Sequence, residues 1–136
     1  MNKDLVNNFE LRRAISPVSV ADNTAQVSQI IDMQGVSAVM FGILIGSVAD
    51  ADTTFTVLVE EGDASNLSDA AAVADADLIS TEALAGFQFD DDNETRKIGY
   101  KGSKRYIRLT ITPANNASAA LIAAFALCAP SLKPAA

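Results

Sequence analysis

Nearly all the residues that could do chemistry in this chain are carboxylates. Asp90-Asp91-Asp92-Asn93-Glu94 strings oxygen donors together, a composition that calcium accepts. It lacks the glycine and the distal glutamate of an EF-hand loop, and a solvated acidic turn is the simpler reading. Asp50/Asp52 and Asp75/Asp77 repeat the motif in miniature and read the same way. Paired carboxylates also run glycoside hydrolysis, but no spacing here sets two of them across a cleft. Cys128, the one thiol, lies in the apolar run Ala119 to Ala129, where desolvation keeps a thiol protonated and inert. The chain has no histidine, which excludes a Ser-His-Asp triad, a Cys-His dyad and a histidine-ligated metal. Gly99 and Gly102 flank lysine without the spacing of a phosphate-binding loop. The sequons at Asn66, Asn93 and Asn116 read as turn composition. The expectation is no enzyme, no cofactor and no metal.

The elements that must carry these residues are strands. Val36–Val48 is nearly continuous apolar sequence, broken for a helix by Gly42 and Gly46, and reads as a strand covered on both faces. Thr53–Glu60 alternates, with Phe55, Val57 and Val59 on one face. Lys104–Thr112 alternates likewise through Arg105, Ile107, Leu109 and Ile111. Ala119–Cys128 has helix-favouring residues, but it follows a loop at Pro113–Ser118 and stops at Pro130, and we read it as a buried strand. Shorter pieces are Leu11–Ile15, ended by Ser16-Pro17, then Gln26–Ile31, Leu78-Ile79 and Phe87–Phe89. Ser68–Val73 offers a helical turn. Asp90–Glu94 reads as a hairpin tip returning through Thr95–Tyr100. Turn clusters fall at Ala21–Thr24, Asp32–Gly35, Ala49–Asp52 and Lys101–Ser103. About eight short strands with turns every 8–15 residues define an all-β, single-domain β-sandwich, jelly-roll-like, with a polar N-terminal arm. The divisions are an arm over 1–10, the sandwich over 11–129 and a tail over 130–136.

Length and composition fit one domain of 136 residues, without an intramolecular disulfide. Alanine supplies 24 residues and aromatics only 8, so the core is thin and association with a larger surface would add stability. Lys3 is followed by no apolar run, and no stretch reaches the ~20 residues of a membrane helix. We expect a soluble chain made in a cytoplasm.

Charge is segregated. Seventeen acids against ten bases give a net charge of −7, yet no Lys or Arg lies between Arg13 and Arg96, where fifteen acids fall. Arg96, Lys97, Lys101, Lys104, Arg105 and Arg108 then follow. The layout serves docking between copies or with a partner, or the basic segment folds back on the acidic loops of its own chain. Negative net charge and the absence of interleaved aromatics speak against nucleic acid. The arm, and the tail Pro130-Ser131-Leu132-Lys133-Pro134, could lie across a neighbour by strand addition or clasping.

Several stretches together resemble small structural proteins of tailed bacteriophages. They are Arg13–Val18, Asp22-Asn23-Thr24, Ile31–Gly35, Phe55–Glu61, Thr112-Pro113-Ala114 and, most distinctively, Ile98–Thr110. The resemblance covers most of residues 11–128 and points to head decoration, or cement, proteins. It implies a β-sandwich on the outer capsid surface of a virion, made in the host bacterial cytoplasm, bridging major capsid protein subunits and stabilising the head. It implies no catalytic residues. Partners would be the major capsid protein and other copies, with a trimer favoured, and neither nucleic acid nor membrane. The interface residues expected are Leu11, Arg12, Arg13, Lys101, Lys104, Arg105 and Arg108. The alternatives are a neck, tail or fibre-base component of the virion, or a carbohydrate-binding module.

Overall fold

A computed structural model describes residues 3–131. The chain runs through β1 (Glu10–Val20), β2 (Gln26–Val27), β3 (Ile31–Asp32), β4 (Val36–Val48), β5 (Thr54–Gly62), β6 (Ala71–Ala72), a 3₁₀ turn (Asp75–Asp77), β7 (Leu78–Ile79), α1 (Glu82–Ala85), β8 (Phe87–Gln88), β9 (Thr95–Tyr100), β10 (Tyr106–Ala114) and β11 (Ala120–Pro130). All pairings are antiparallel. One sheet has the order β1-β11-β4-β9-β7. In the other, β10 and β5 are central, β2 and β3 share the far edge of β10, and β6 and β8 share the far edge of β5. Counting each shared edge as one strand gives eight places, paired 1-8-3-6 and 2-7-4-5, which is the jelly-roll order. The eleven strand segments are thus eight strands with two of them broken, plus β7.

The core lies between the sheets. Phe41, Ile43, Ile98, Ala126 and Cys128 face inward from the first sheet, and Val59, Ile107, Leu109 and Ile111 from the second. Phe55 and Phe87 stack with centroids 4.6 Å apart and close one end. Alternation with β-branched residues at the inward positions is what commits these segments to strands.

Four local expectations are corrected. Ser16-Pro17 does not end β1, which continues to Val20 through register shifts between Arg13 and Val18. Proline is tolerated there because β1 is an edge strand and the shifts are bulge-like. Pro113 likewise stays within β10, opposite Phe55 on β5, and Asn115 (φ 55°) makes the turn instead. Ser68–Val73 forms no helical turn. Its Asp69 carboxylate accepts the N–H groups of Asp63 and Ala64, and Ala71–Ala72 joins β5. Helix falls later, at α1, where Thr81 Oγ1 accepts the Leu84 N–H in an N-cap.

Asp90–Glu94 is not a hairpin tip. β8 pairs with β5 and β9 with β4, so the acidic segment crosses from one sheet to the other. Its carboxylates are spent on holding that crossing. Asp91 accepts the Gln88 N–H at 2.8 Å, Asp92 accepts the Val48 N–H at 3.1 Å, and Arg96 pairs with Asp91 and Glu94.

Tyr100 ties the two sheets together. Its buried hydroxyl donates to Glu61 Oε1 and accepts the Lys104 N–H, both at 3.0 Å. Burial, with Glu61 beside it, pushes the phenol up to about 12, against the partial opposition of the Lys104 N–H. The folded value lies above the ordinary 10.0, so this contribution to stability is complete below pH 10 and is lost as pH rises towards 12. Tyr100→Phe should flatten the alkaline limb of a stability-against-pH curve measured by urea unfolding. An unchanged limb would show that Tyr100 does not control it.

Candidate functional site

The inner faces of both sheets are covered, but the outer face of β1-β11-β4-β9-β7 is apolar too. In register across all five strands run Leu11, Leu127, Met40, Gly99 and Ile79. The next outward row is Arg13, Phe125, Gly42 and Lys97. Beyond it lie Ala123, Leu44 and Thr95, then Leu121 beside Gly46. Leu11 and Ile79 are 68 % and 58 % exposed, and Leu44 and Leu121 are exposed as well. No carboxylate stands in these rows, although the chain carries seventeen. Apolar patches that extend across a whole sheet are uncommon on soluble monomers and mark contact surfaces.

Small residues shape this face. The Phe125 ring lies over Gly42, where a Cβ would sit 2.3 Å from Phe125 Cζ. The ring divides two hollows. One, of about 360 Å³, is lined by Phe9, Met40, Ile79, Lys97, Gly99 and Leu127. The other, of about 400 Å³, is lined by Pro17, Val18, Leu44, Gly46, Leu121 and Ala123.

Sheet edges are less available than the face. Along β1, the Gln29 N–H donates to Ala14 O at 2.9 Å and Arg12 Nη1 donates to Asp32 O at 2.8 Å. On β5, the Val59 N–H donates to Glu82 Oε2 at 2.8 Å, and Val59 O accepts from the Val73 N–H at 2.9 Å. Covered edges of this kind resist strand addition.

The structure sorts the expected interface residues. Leu11 and Arg13 lie on the apolar face. Arg12 pairs with Glu10 at 2.9 Å, Lys104 with Asp63 at 2.9 Å, Arg105 with Asp32 at 3.0 Å and Arg108 with Glu60 at 2.9 Å. These pairs hold Glu10 and Asp32 below their usual carboxylate range through the guanidinium hydrogen bonds. Four of the six clustered bases (Arg96, Lys104, Arg105 and Arg108) therefore fold back onto the acidic middle of the same chain. Among the described residues, Lys3, Arg13, Lys97 and Lys101 have no ion-pair partner. Of the tail, Leu132, Lys133 and Pro134 lie outside the described residues. Cys128 is buried, and desolvation pushes its thiol up, as its apolar surroundings imply.

Met40, Leu44, Lys97, Leu121, Phe125 and Leu127 were absent from the sequence-derived interface. Their signal was present: Val36–Val48 and Ala119–Ala129 are apolar at both parities of a strand. That pattern suits a strand covered on both faces, and the described residues cover one.

No family model matches the sequence, and no curated protein matches it. Solved structures share its fold. The PBSX exported protein XepA superposes with a TM-score of 0.57 at 15 % identity, over 94 % of this chain and 39 % of XepA. This chain thus spans well under half the length of XepA. A chain from the capsid of Ralstonia phage GP4 superposes with a TM-score of 0.53 at 11 % identity, over 97 % of this chain and 90 % of that one. The CBM22-1 xylan-binding domain of Paenibacillus barcinonensis Xyn10C gives a TM-score of 0.47 at 14 % identity, over 96 % and 89 %. At these identities the likeness to XepA and to the phage capsid chain is one of fold.

Proposed function

We propose that this chain is a non-enzymatic structural protein of a tailed-phage virion, and specifically a head decoration protein that binds the outer surface of the shell and bridges its subunits. The observation that carries the reading is the carboxylate-free apolar face of β1-β11-β4-β9-β7, on a chain whose net charge of −7 favours solubility. A protein that presents such a face functions covered. The sequence resemblance and the fold shared with a chain of a phage capsid support the same reading. We assign shell contact to the hollow around Leu44 and Leu121. Arg13, in the row of Phe125, stands at its border, while Lys101, Lys104 and Arg105 mark the opposite end of the sandwich and Arg108 the outer face of the other sheet, a separate basic corner.

The test is co-sedimentation with empty heads of its own phage from which the protein is missing. Leu121→Asp and Leu44→Asp should weaken binding at least about tenfold, since a charge set against an apolar contact is desolvated without a partner. Thr112→Asp, on the opposite sheet, should bind like the wild type. Equal binding by all variants would overturn the assignment. Binding that vanishes with moderate salt and ignores Leu121 would move the contact to the basic corner.

A carbohydrate-binding reading needs an exposed aromatic platform. Of the eight aromatics, Phe41, Phe55, Phe87 and Tyr100 are buried, which leaves the apolar sheet face as the stronger feature.

A further inference from the structure

The hollow beside Phe9 lies apart from the one assigned to shell contact, and the N-terminal arm carries two exposed aliphatic side chains. Leu5 and Val6 are 64 % and 86 % exposed, side by side at the start of a built turn. Asp4 Oδ1 accepts the Asn7 N–H at 3.0 Å, Asp4 Oδ2 accepts from Asn7 Nδ2 at 2.8 Å, and Leu5 O accepts the N–H groups of Asn8 and Phe9. The turn holds two branched aliphatic side chains in water before any partner arrives. Preorganisation of this kind lowers the ordering cost of binding. Phe9 of the same arm already forms one wall of the hollow, yet Leu5 and Val6 do not line it.

We propose that the hollow of Phe9, Met40, Ile79, Lys97 and Leu127 receives the Leu5-Val6 turn of a second copy of this chain. The reading rests on the outer sheet face being a protein-docking face, and it adds a partner for one half of it. Charge favours the arm over a matching face. Stacking two copies of this sheet with their rows aligned or reversed brings Arg13 and Lys97 of one against the same cations of the other, with no carboxylate in the rows to offset them. An inserted arm instead brings Asp4, which directly precedes the aliphatic pair, towards Lys97, which forms no ion pair among the described residues. The contact is heterologous, arm to hollow, so it propagates until it closes into a ring. The threefold cluster that the resemblance implies is one such closure.

The test uses the whole chain alone, without capsids, by sedimentation velocity across micromolar to millimolar concentrations. Wild type should assemble with rising concentration. Val6→Asp and Ile79→Asp should each weaken assembly at least about tenfold. Both positions are exposed, so folding should be unchanged by thermal unfolding, and Leu5→Asp and Met40→Asp are the second choices if it is not. An equimolar mixture of Val6→Asp and Ile79→Asp should form 1:1 heterodimers that grow no further, because one copy keeps its hollow and the other its arm. A chain that stays monomeric throughout overturns the proposal. So does assembly that ignores Val6→Asp, which would indicate face-to-face pairing. Neither result bears on Leu121-dependent binding to heads, so loss of this contact and loss of the decoration role are separable.

Discussion

Phe41→Ala should cost about 3–5 kcal/mol of folding stability, the range for removing a fully buried aromatic side chain. Phe41 has no solvent exposure and sits at the centre of β4, the middle strand of its sheet. Its row neighbours are Ala126 on β11 and Ile98 on β9. Ala124 and Ala126 turn inward on the same side of β11, and their short side chains leave the volume that the ring fills. Strands on both flanks hold the backbone in place, so the cavity cannot collapse. Urea unfolding followed by circular dichroism should show the midpoint falling with an unchanged slope. Phe125→Ala is the control. That ring covers Gly42 from outside, so its loss should cost much less stability. A small effect at Phe41 would mean that the alanine-rich strand relaxes inward.

Asn116→Asp should be almost as damaging, although it changes one atom. Asn116 is 4 % exposed, and its Nδ2 donates to Val20 O at 3.0 Å and to Asp22 O at 2.9 Å, pinning the end of β1 to the loop after β10. The two carbonyls fix which end of the amide is nitrogen. Its Oδ1 has no hydrogen-bond partner among the described residues. An ionised aspartate there would face two carbonyl oxygens without a donor, and an uncompensated buried charge costs about 3–5 kcal/mol. Burial and those oxygens favour the protonated acid, so the folded value of the new carboxyl lies above its unfolded one. The damage is therefore small at pH values below the ordinary carboxylate range and grows as pH rises through it. Thermal unfolding of the variant at pH 3 and at pH 7, each against wild type, checks both the size and the sign. A deficit equal at both would refute the electrostatic cause.

The sequence revealed the strands whose patterns are set by burial. β4 is bounded correctly at Val36 and Val48, and β11 reads as a strand despite alanine and leucine, because it follows a strand through a short loop, stops at Pro130 and alternates at Phe125 and Leu127. What stayed hidden was pairing. Phe87–Phe89 and Thr95–Tyr100 flank a turn-rich segment in the manner of a hairpin, and nothing local says that they join different sheets. That choice is made by Asp92 and Glu94, whose carboxylate and carbonyl take the N–H groups of Val48 and Ile45 across a long sequence separation. The prolines misled for a related reason. Pro17 and Pro113 break strands by local rule, and both are absorbed where the ladder leaves their missing N–H unneeded. The charge pattern was legible, but its outcome was not. Arg108 meets Glu60 because β10 lies beside β5 in that register, a fact of topology. The apolar face was half-visible, since two strands are apolar at both parities and the described residues cover only one of their faces.

Cys128 has a consequence of a different kind. It is the sole thiol, it has no exposure, and it lies on β11 opposite Glu10 of β1 and Val39 of β4. A thiol-seeking reagent gains access to it when the sheet opens at one of those seams, when the sheets part, or when the chain unfolds. The residue is thus a built-in clock for the local opening of the sheet, set apart from global unfolding by its own rate. Any assembly that clamps β1 or β4 would slow that clock, and the protein would report its own engagement without a label being added.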